Sequence, residues 1–192
     1  MYFVIETNET VRVPPEHLGE EYERTAKDIA IKNVEGKIGV LDRNLVRDVN
    51  DRKYINLLVL ESKLDGEGRI VHGDSGVYQE VKMKILAYQP MMQEVVEGDV
   101  ADVKKFGAFV SIGPIEGLLH VSQVMDDRIE VDEENKRMMG KDTKRDLKVG
   151  DLVRTRIVAL SLSDSRLDES KIGLTMRQNF LGKFAWLKGE TK

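Results

Sequence analysis

Six consecutive residues, Lys104-Lys105-Phe106-Gly107-Ala108-Phe109, set two cations beside two aromatic rings. That combination suits single-stranded nucleic acid, because ammonium groups meet phosphates while a ring face stacks on any base. His120 lies on the next strand-like run and returns to the same region if the two strands pair around the turn SIGPIEG. Arg154 and Arg156 share one side of a later strand, with Val153, Ile157 and Ala159 on the other, so the arginines are expected to point outward. Each residue also has a plain structural reading. Strict alternation sets Phe106 on the side of Ala108, Val110 and Ile112, the core side, and Phe109 on the opposite face. Both rings reach a ligand only if Gly107 breaks the alternation, as a glycine bulge can. His120 suits a structural hydrogen bond as well as a stacked base, and exposed arginines are common on any surface.

Catalytic chemistry is poorly served. Cysteine is absent, which removes thiol nucleophiles, thiolate-ligated zinc and disulfides. The three histidines, His17, His72 and His120, are far apart, and no phosphate-cradling GxxxxGK[ST] or GxGxxG run occurs. The GDSG at residues 73–76 matches the surroundings of a serine-protease nucleophile. A triad would need a histidine and an acid brought to Ser75, and a two-barrel protease does not fit in 192 residues, so GDSG reads as a turn. The acids of residues 126–134 lack a calcium-loop spacing. No catalytic residue, metal site or cofactor is expected.

Two sets of elements must position the binding residues. In residues 1–89, YFVIETNETVRV reads as a strand ended by Pro14-Pro15, and the prolines with Glu16 suit a helix start. Leu18, Tyr22, Ala26, Ile29 and Ile31 recur at helical spacing until Gly36. IGVLD, YINLLVLES and VYQEVKMKILAY read as three further strands, giving β-α-β-β-β, an α+β domain with a helix on a sheet. Between the last two strands, Gly66–Gly76 holds four glycines and reads as a shaped loop. In residues 90–192, EVVEGDVADV, FGAFVSIG, EGLLHVS, DLVRTRIVALSL and KIGLTM are five short strand-like runs, the number that closes an oligonucleotide-binding (OB) barrel. Residues 125–148 interrupt them with charges of both signs and read as a solvated loop or short helix. A tail follows, carrying Phe180, Phe184 and Trp186.

The chain has 34 acidic and 30 basic residues, a net charge of −4, and neither half is strongly charged. Any affinity for nucleic acid must therefore come from placement and stacking. No run approaches the roughly 18 apolar residues of a membrane span, and the first ten lack a signal-peptide layout, so a cytoplasmic location without membrane contact is expected.

The stretch GDVADVKKFGAFVSIGPIEGLLHVSQV resembles the S1 RNA-binding domain, whose pattern runs G-x-V, FGAFV, a short turn and EGLxHxS. The resemblance implies that Phe106, Phe109 and His120 face RNA. It also implies an acidic and a basic partner on that surface, for which this chain has Ser161 and Lys171. Over nearly its whole length, through MYFVIETNETVRVPPEHLGE, EGKIGVLD, GEGRIVHGDSGVYQEVKMKILAYQP, HVSQVMDD and KIGLTMRQ, the chain is similar to the stalk subunits of archaeal RNA polymerase called E-prime. Their eukaryotic counterpart is the seventh subunit of RNA polymerase II.

That resemblance implies a truncated ribonucleoprotein-like first domain followed by an all-β five-stranded S1 barrel. It implies a heterodimer with the small helical polymerase subunit called F, and docking on the polymerase core through the tip of the first domain. It further implies an influence on clamp closure and promoter opening, nascent RNA meeting the barrel, and nucleotidyl transfer left to the large subunits. The tip matches Gly66, Gly68, Arg69, Ile70, Val71, Gly73, Asp74 and Gly76. Phe180, Phe184 and Trp186 are candidates for partner contact or for covering the barrel's end. The alternative is a stand-alone S1 protein acting in translation or RNA decay, which would need no docking tip. A nuclease with an S1 targeting domain fits less well, because residues 1–89 are short for a nuclease fold and show no carboxylate cluster for a metal.

Overall fold

The structure, a computed structural model, describes residues 1–41, 53–163 and 170–187. Asp42 of IGVLD and the last five residues of the tail lie outside them. The chain divides into two compact units that meet in sequence between Gln89 and Pro90.

The first unit is an antiparallel sheet with one helix. Strand β1 (Tyr2–Val13) pairs with β4 (Val77–Tyr88), β4 with β3 (Lys53–Ile70), and β3 with the short β2 (Ile38–Val40). Alternation along β1 sends Val11 and Val13 to the face where Val81, Met83 and Ile85 of β4 also point. Helix α1 (Tyr22–Val34) covers that face with Ala26, Ala30 and Val34, one side chain per turn, and the two alanines let the helix come close.

The helix begins later than the prolines imply. Pro15–His17 form one 3₁₀ turn, and the α-helix starts only at Tyr22 beyond Gly19. Proline serves the first turn of either helix type, so it marks a start without fixing the helix that follows. Leu18, read as part of the apolar face, is exposed for the same reason.

The second unit is a closed barrel. Strands β5 (Val95–Lys104), β6 (Gly107–Ser111) and β7 (Glu116–His120) form a meander, and β11 (Leu152–Ser161) pairs with β5. Strand β12 (Lys171–Thr175) closes the ring, antiparallel to β11 and parallel to β7. Val100, Val103, Ala108, Val110, Leu119, Val153, Ile157 and Leu174 fill the interior. A short β13 (Gly182–Lys183) adds to β11, and the turn of helix α2 (Phe184–Leu187) follows.

Residues 125–148 are neither a loop nor a helix. They fold as a three-stranded antiparallel sheet of β8 (Ile129–Asp132), β9 (Arg137–Gly140) and β10 (Asp146–Lys148). Met138 and Leu147 are fully buried there, so two scattered apolar residues suffice to give the segment an inside. Asp127 stitches the far end, accepting from the backbone and hydroxyl of Thr143 at 2.9 and 2.7 Å, which holds its pKa at about 2.

Candidate nucleic-acid interface

The β5–β6 turn decides where the aromatic rings go. Lys104 pairs with Gly107, so Lys105 and Phe106 are the two residues of a tight hairpin turn. Phe106 therefore lies outside the strand, and the alternation that put it on the core side stops one residue short. Phe106 is 49% exposed, and its ring meets the Phe109 ring edge-on, centroids 6.1 Å apart. Gly107 does not bulge. It allows a close approach, since a Cβ there would lie 2.4 Å from the Leu119 carbonyl oxygen. Opposite Gly107 stands His120, whose Nδ1 is 2.8 Å from the Ser122 hydroxyl and accepts from the Ser122 N–H at 3.3 Å. The ring is thereby oriented while remaining exposed.

Register carries the face across the barrel. Asp102, Phe109, Leu118 and Gly173 lie side by side on β5, β6, β7 and β12. An open groove lined by Leu118, His120, Gln123, Thr175 and Arg177 continues from that row. Gln123 accepts from the Thr175 hydroxyl at 2.7 Å, and Arg177 donates to the Ser122 carbonyl oxygen and pairs with Asp126. Sequence reasoning missed Gln123 and Arg177, which lie just past the strands that carry His120 and Thr175.

The cations are less free than their types imply. Lys104 pairs with Asp102 at 2.9 Å, and Lys136 of the inserted sheet pairs with the other oxygen of Asp102 at 3.1 Å. Those two bonds and the Val103 N–H hold the Asp102 carboxyl at about pKa 2. Lys105 meets Glu133 twice, through its backbone N–H at 3.1 Å and its ammonium at 3.4 Å. Arg154 donates to Glu97 at 2.9 and 3.0 Å and lies 5.1 Å above the Phe184 ring. Glu97 precedes Asp102 by five residues on β5, about 16 Å along the strand, so Arg154 stands apart from the rings. Arg156 is half-buried, its Nε without a hydrogen-bond partner among the described residues. Lys171 is exposed opposite Ser161 and opens β12 two residues before Gly173. Phe106, Phe109 and His120 are thus brought together, with Lys104 and Lys105 beside them, and Arg154 is not.

In the tail, Trp186 lies under Arg145 and against Gly182, while Phe180 is 77% exposed.

The first unit's tip is a hairpin of another kind. Strand β3 runs on to Ile70, so residues 66–70 are strand and only 71–76 form the turn, a shorter loop than the glycine count implies. Five residues of β3, Asp65 to Arg69, span the distance that three residues, Tyr78 to Glu80, cover on β4. Gly66, at φ +65°, takes up that excess, and Gly68 lies where a Cβ would be 2.5 Å from the Tyr22 hydroxyl. Buried Gln79 secures the bulge, accepting from Tyr22 at 2.9 Å and donating to the Asp65 carbonyl oxygen at 3.1 Å. Asp74 closes the turn, accepting from Arg12 at 2.6 and 2.8 Å, from Gly76 N–H at 2.9 Å and from the Tyr78 hydroxyl at 2.8 Å. These donors, Arg12 foremost, hold its carboxyl far below the usual range. Left outward are Arg69, His72, Val71 and Ile70, the last 78% exposed.

Residues 89–171 match the family model of the S1 RNA binding domain. The chain is similar to DNA-directed RNA polymerase subunit Rpo7 of Sulfolobus acidocaldarius, 34% identical over 190 residues, with 99% of this chain and 97% of the relative covered. The same subunit of Saccharolobus solfataricus is 36% identical over 188 residues, covering 97% of each. A polyribonucleotide nucleotidyltransferase of Thermus thermophilus is 35% identical, over 48% of this chain and 12% of its own length.

Proposed function

The chain belongs to the Rpo7 family of DNA-directed RNA polymerase subunits, as a non-catalytic member, and we propose that it works as the polymerase stalk with its two units addressed to different partners. Its first unit, the truncated ribonucleoprotein-like domain of such subunits, docks on the polymerase core through the β3–β4 tip. Its S1 barrel takes single-stranded nascent RNA across Phe106, Phe109 and His120. The small helical partner called F pairs with it, and Phe180, 77% exposed, is open to that contact. Docking at the tip biases the clamp toward closure and so favours promoter opening. Among the described residues no helix is long and apolar enough to cross a membrane.

The observation that carries the docking reading is the tip itself. Asp74 gathers Arg12, the Gly76 N–H and the Tyr78 hydroxyl, and what the hairpin presents is an aliphatic ridge of Ile70 and Val71 flanked by Arg69 and His72. Exposed aliphatic side chains on a fixed backbone suit a pocket in another protein. Affinity purification of tagged chain from its native cells is the test. Large polymerase subunits and a small helical partner are expected with the unaltered chain, and loss of the large subunits with Ile70→Asp/Val71→Asp. Recovery of ribosomal or decay proteins without polymerase would overturn the reading.

A further inference from the structure

The inserted sheet between β7 and β11 reaches back to the turn that presents Phe106. Its β8–β9 turn is well defined: Asp132 accepts from Asn135 at 3.0 and 2.7 Å and from Arg137 at 3.2 Å, and Lys136 takes a left-handed φ of +49°. From that turn Glu133 extends one oxygen to the Lys105 backbone N–H and the other toward the Lys105 ammonium. On the other side of the same two-residue turn, the Phe106 carbonyl oxygen accepts from the Val121 N–H at 3.0 Å. The turn bearing Phe106 is therefore held at both of its residues, once by the barrel and once by the insertion.

We propose that Glu133 is a positioning residue for RNA binding, holding the Lys105-Phe106 turn so that Phe106 stays edge-on to Phe109 as a ready stacking surface while masking the Lys105 charge. The proposal rests on the reading of this face as the RNA surface. Two functions are carried by one carboxylate and can be separated chemically. The hydrogen bond from the Lys105 N–H needs only an acceptor oxygen, which glutamine also has. Masking of the Lys105 ammonium needs the negative charge. With the charge in place, affinity depends on stacking and responds weakly to salt. With it gone and the acceptor kept, the same surface gains one phosphate contact.

Glu133→Ala and Glu133→Gln in the full chain test this, with binding of a fluorescein-labelled mixed-sequence RNA of about 12 nucleotides followed by anisotropy across a salt series. Glu133→Ala removes the prop and the negative charge together, so it is expected to bind about fivefold more weakly than Glu133→Gln, the lower end of one lost base stack, and this difference is expected to vanish in a Phe106→Ala background. Glu133→Gln is expected to retain or raise affinity, with a log–log salt slope steeper by about 0.7. Amide exchange at Lys105 gives a readout that needs no RNA: protection is lost in Glu133→Ala and kept in Glu133→Gln. Unchanged Lys105 exchange in Glu133→Ala overturns the proposal, as does a difference between Glu133→Ala and Glu133→Gln that persists with Phe106→Ala. If the unaltered chain binds no RNA, or binds equally well as Phe106→Ala/Phe109→Ala, the RNA reading of the face fails instead, and the exchange experiment still judges the positioning.

Discussion

The two hairpin turns, at the tip of the first unit and between β5 and β6 of the barrel, use their charges alike and differ in what they expose. At the tip, Asp74 collects Arg12, Gly76 and Tyr78 from its own hairpin and the neighbouring strand. In the barrel, Lys104 and Lys105 are taken by Asp102 and Glu133, and the second of these comes from an inserted sheet. Charge shapes both turns, with Asp74, Lys104 and Lys105 in ion pairs and Arg69 and His72 left exposed beside the tip. The tip presents branched aliphatic side chains, Ile70 and Val71, which fit a pocket of matching shape. The barrel presents flat rings, Phe106 and Phe109, which accept any base. One turn is held from within its own sheet and the other is propped by a separate sheet.

The sharpest way to break this comparison is to exchange the losses. Ile70→Asp/Val71→Asp should abolish recovery of polymerase while leaving RNA affinity about the same as that of the unaltered chain; loss of both would show that the turns do not act independently. Next in size, Leu147→Ala removes a fully buried side chain of the inserted sheet and should lower stability by about 2–5 kcal/mol in thermal unfolding. A change below about 0.5 kcal/mol would mean the segment behaves as a solvated loop. The same variant should speed amide exchange at Lys105 and leave that at Gly76 unaltered. Phe106→Ala/Phe109→Ala should cost about 30-fold in RNA affinity, two stacks at about 1 kcal/mol each, without affecting polymerase recovery.

The smallest effect is in pH. Asp102 and Asp74 are both depressed below the usual carboxylate value, so each contributes stability that is full above about pH 4 and lost as pH falls through its folded value. Carboxyl chemical shifts followed from about pH 5 downward should therefore show both carboxyls titrating well below the usual carboxylate range, Asp102 near pH 2. Titration of either near pH 4 would mean that its turn is not held by these bonds.

Much of this is legible in the residues, because it rests on local rules. Alternation in β1, β4 and the barrel strands reports which face is buried, and the barrel strands carry the FGAFV and EGLLH runs whose spacing is that of the S1 pattern. The absence of cysteine and the scatter of the histidines speak against thiol and triad chemistry. Where local rules fail, the cause is an interaction distant in sequence. Alternation carried one residue beyond the strand sets Phe106 on the core side, and only the pairing of Lys104 with Gly107 shows that a turn intervenes. Residues 66–70 are strand because Gln79 and Tyr22 hold a bulge that glycine count does not reveal. The inserted sheet reads as solvent-exposed charge because its inside needs only Met138, Leu147 and a few half-buried neighbours.

The sequence alone therefore determined the two-part architecture, the family, and the kinds of side chain available for binding. Those follow from periodicity and motif spacing, which act over a few residues. Only the tertiary structure decided which cations are held in ion pairs and which way each ring faces. A lysine's availability depends on whether a carboxylate from 28 residues away reaches it, and Coulomb attraction and hydrogen bonding act through space without regard to chain distance.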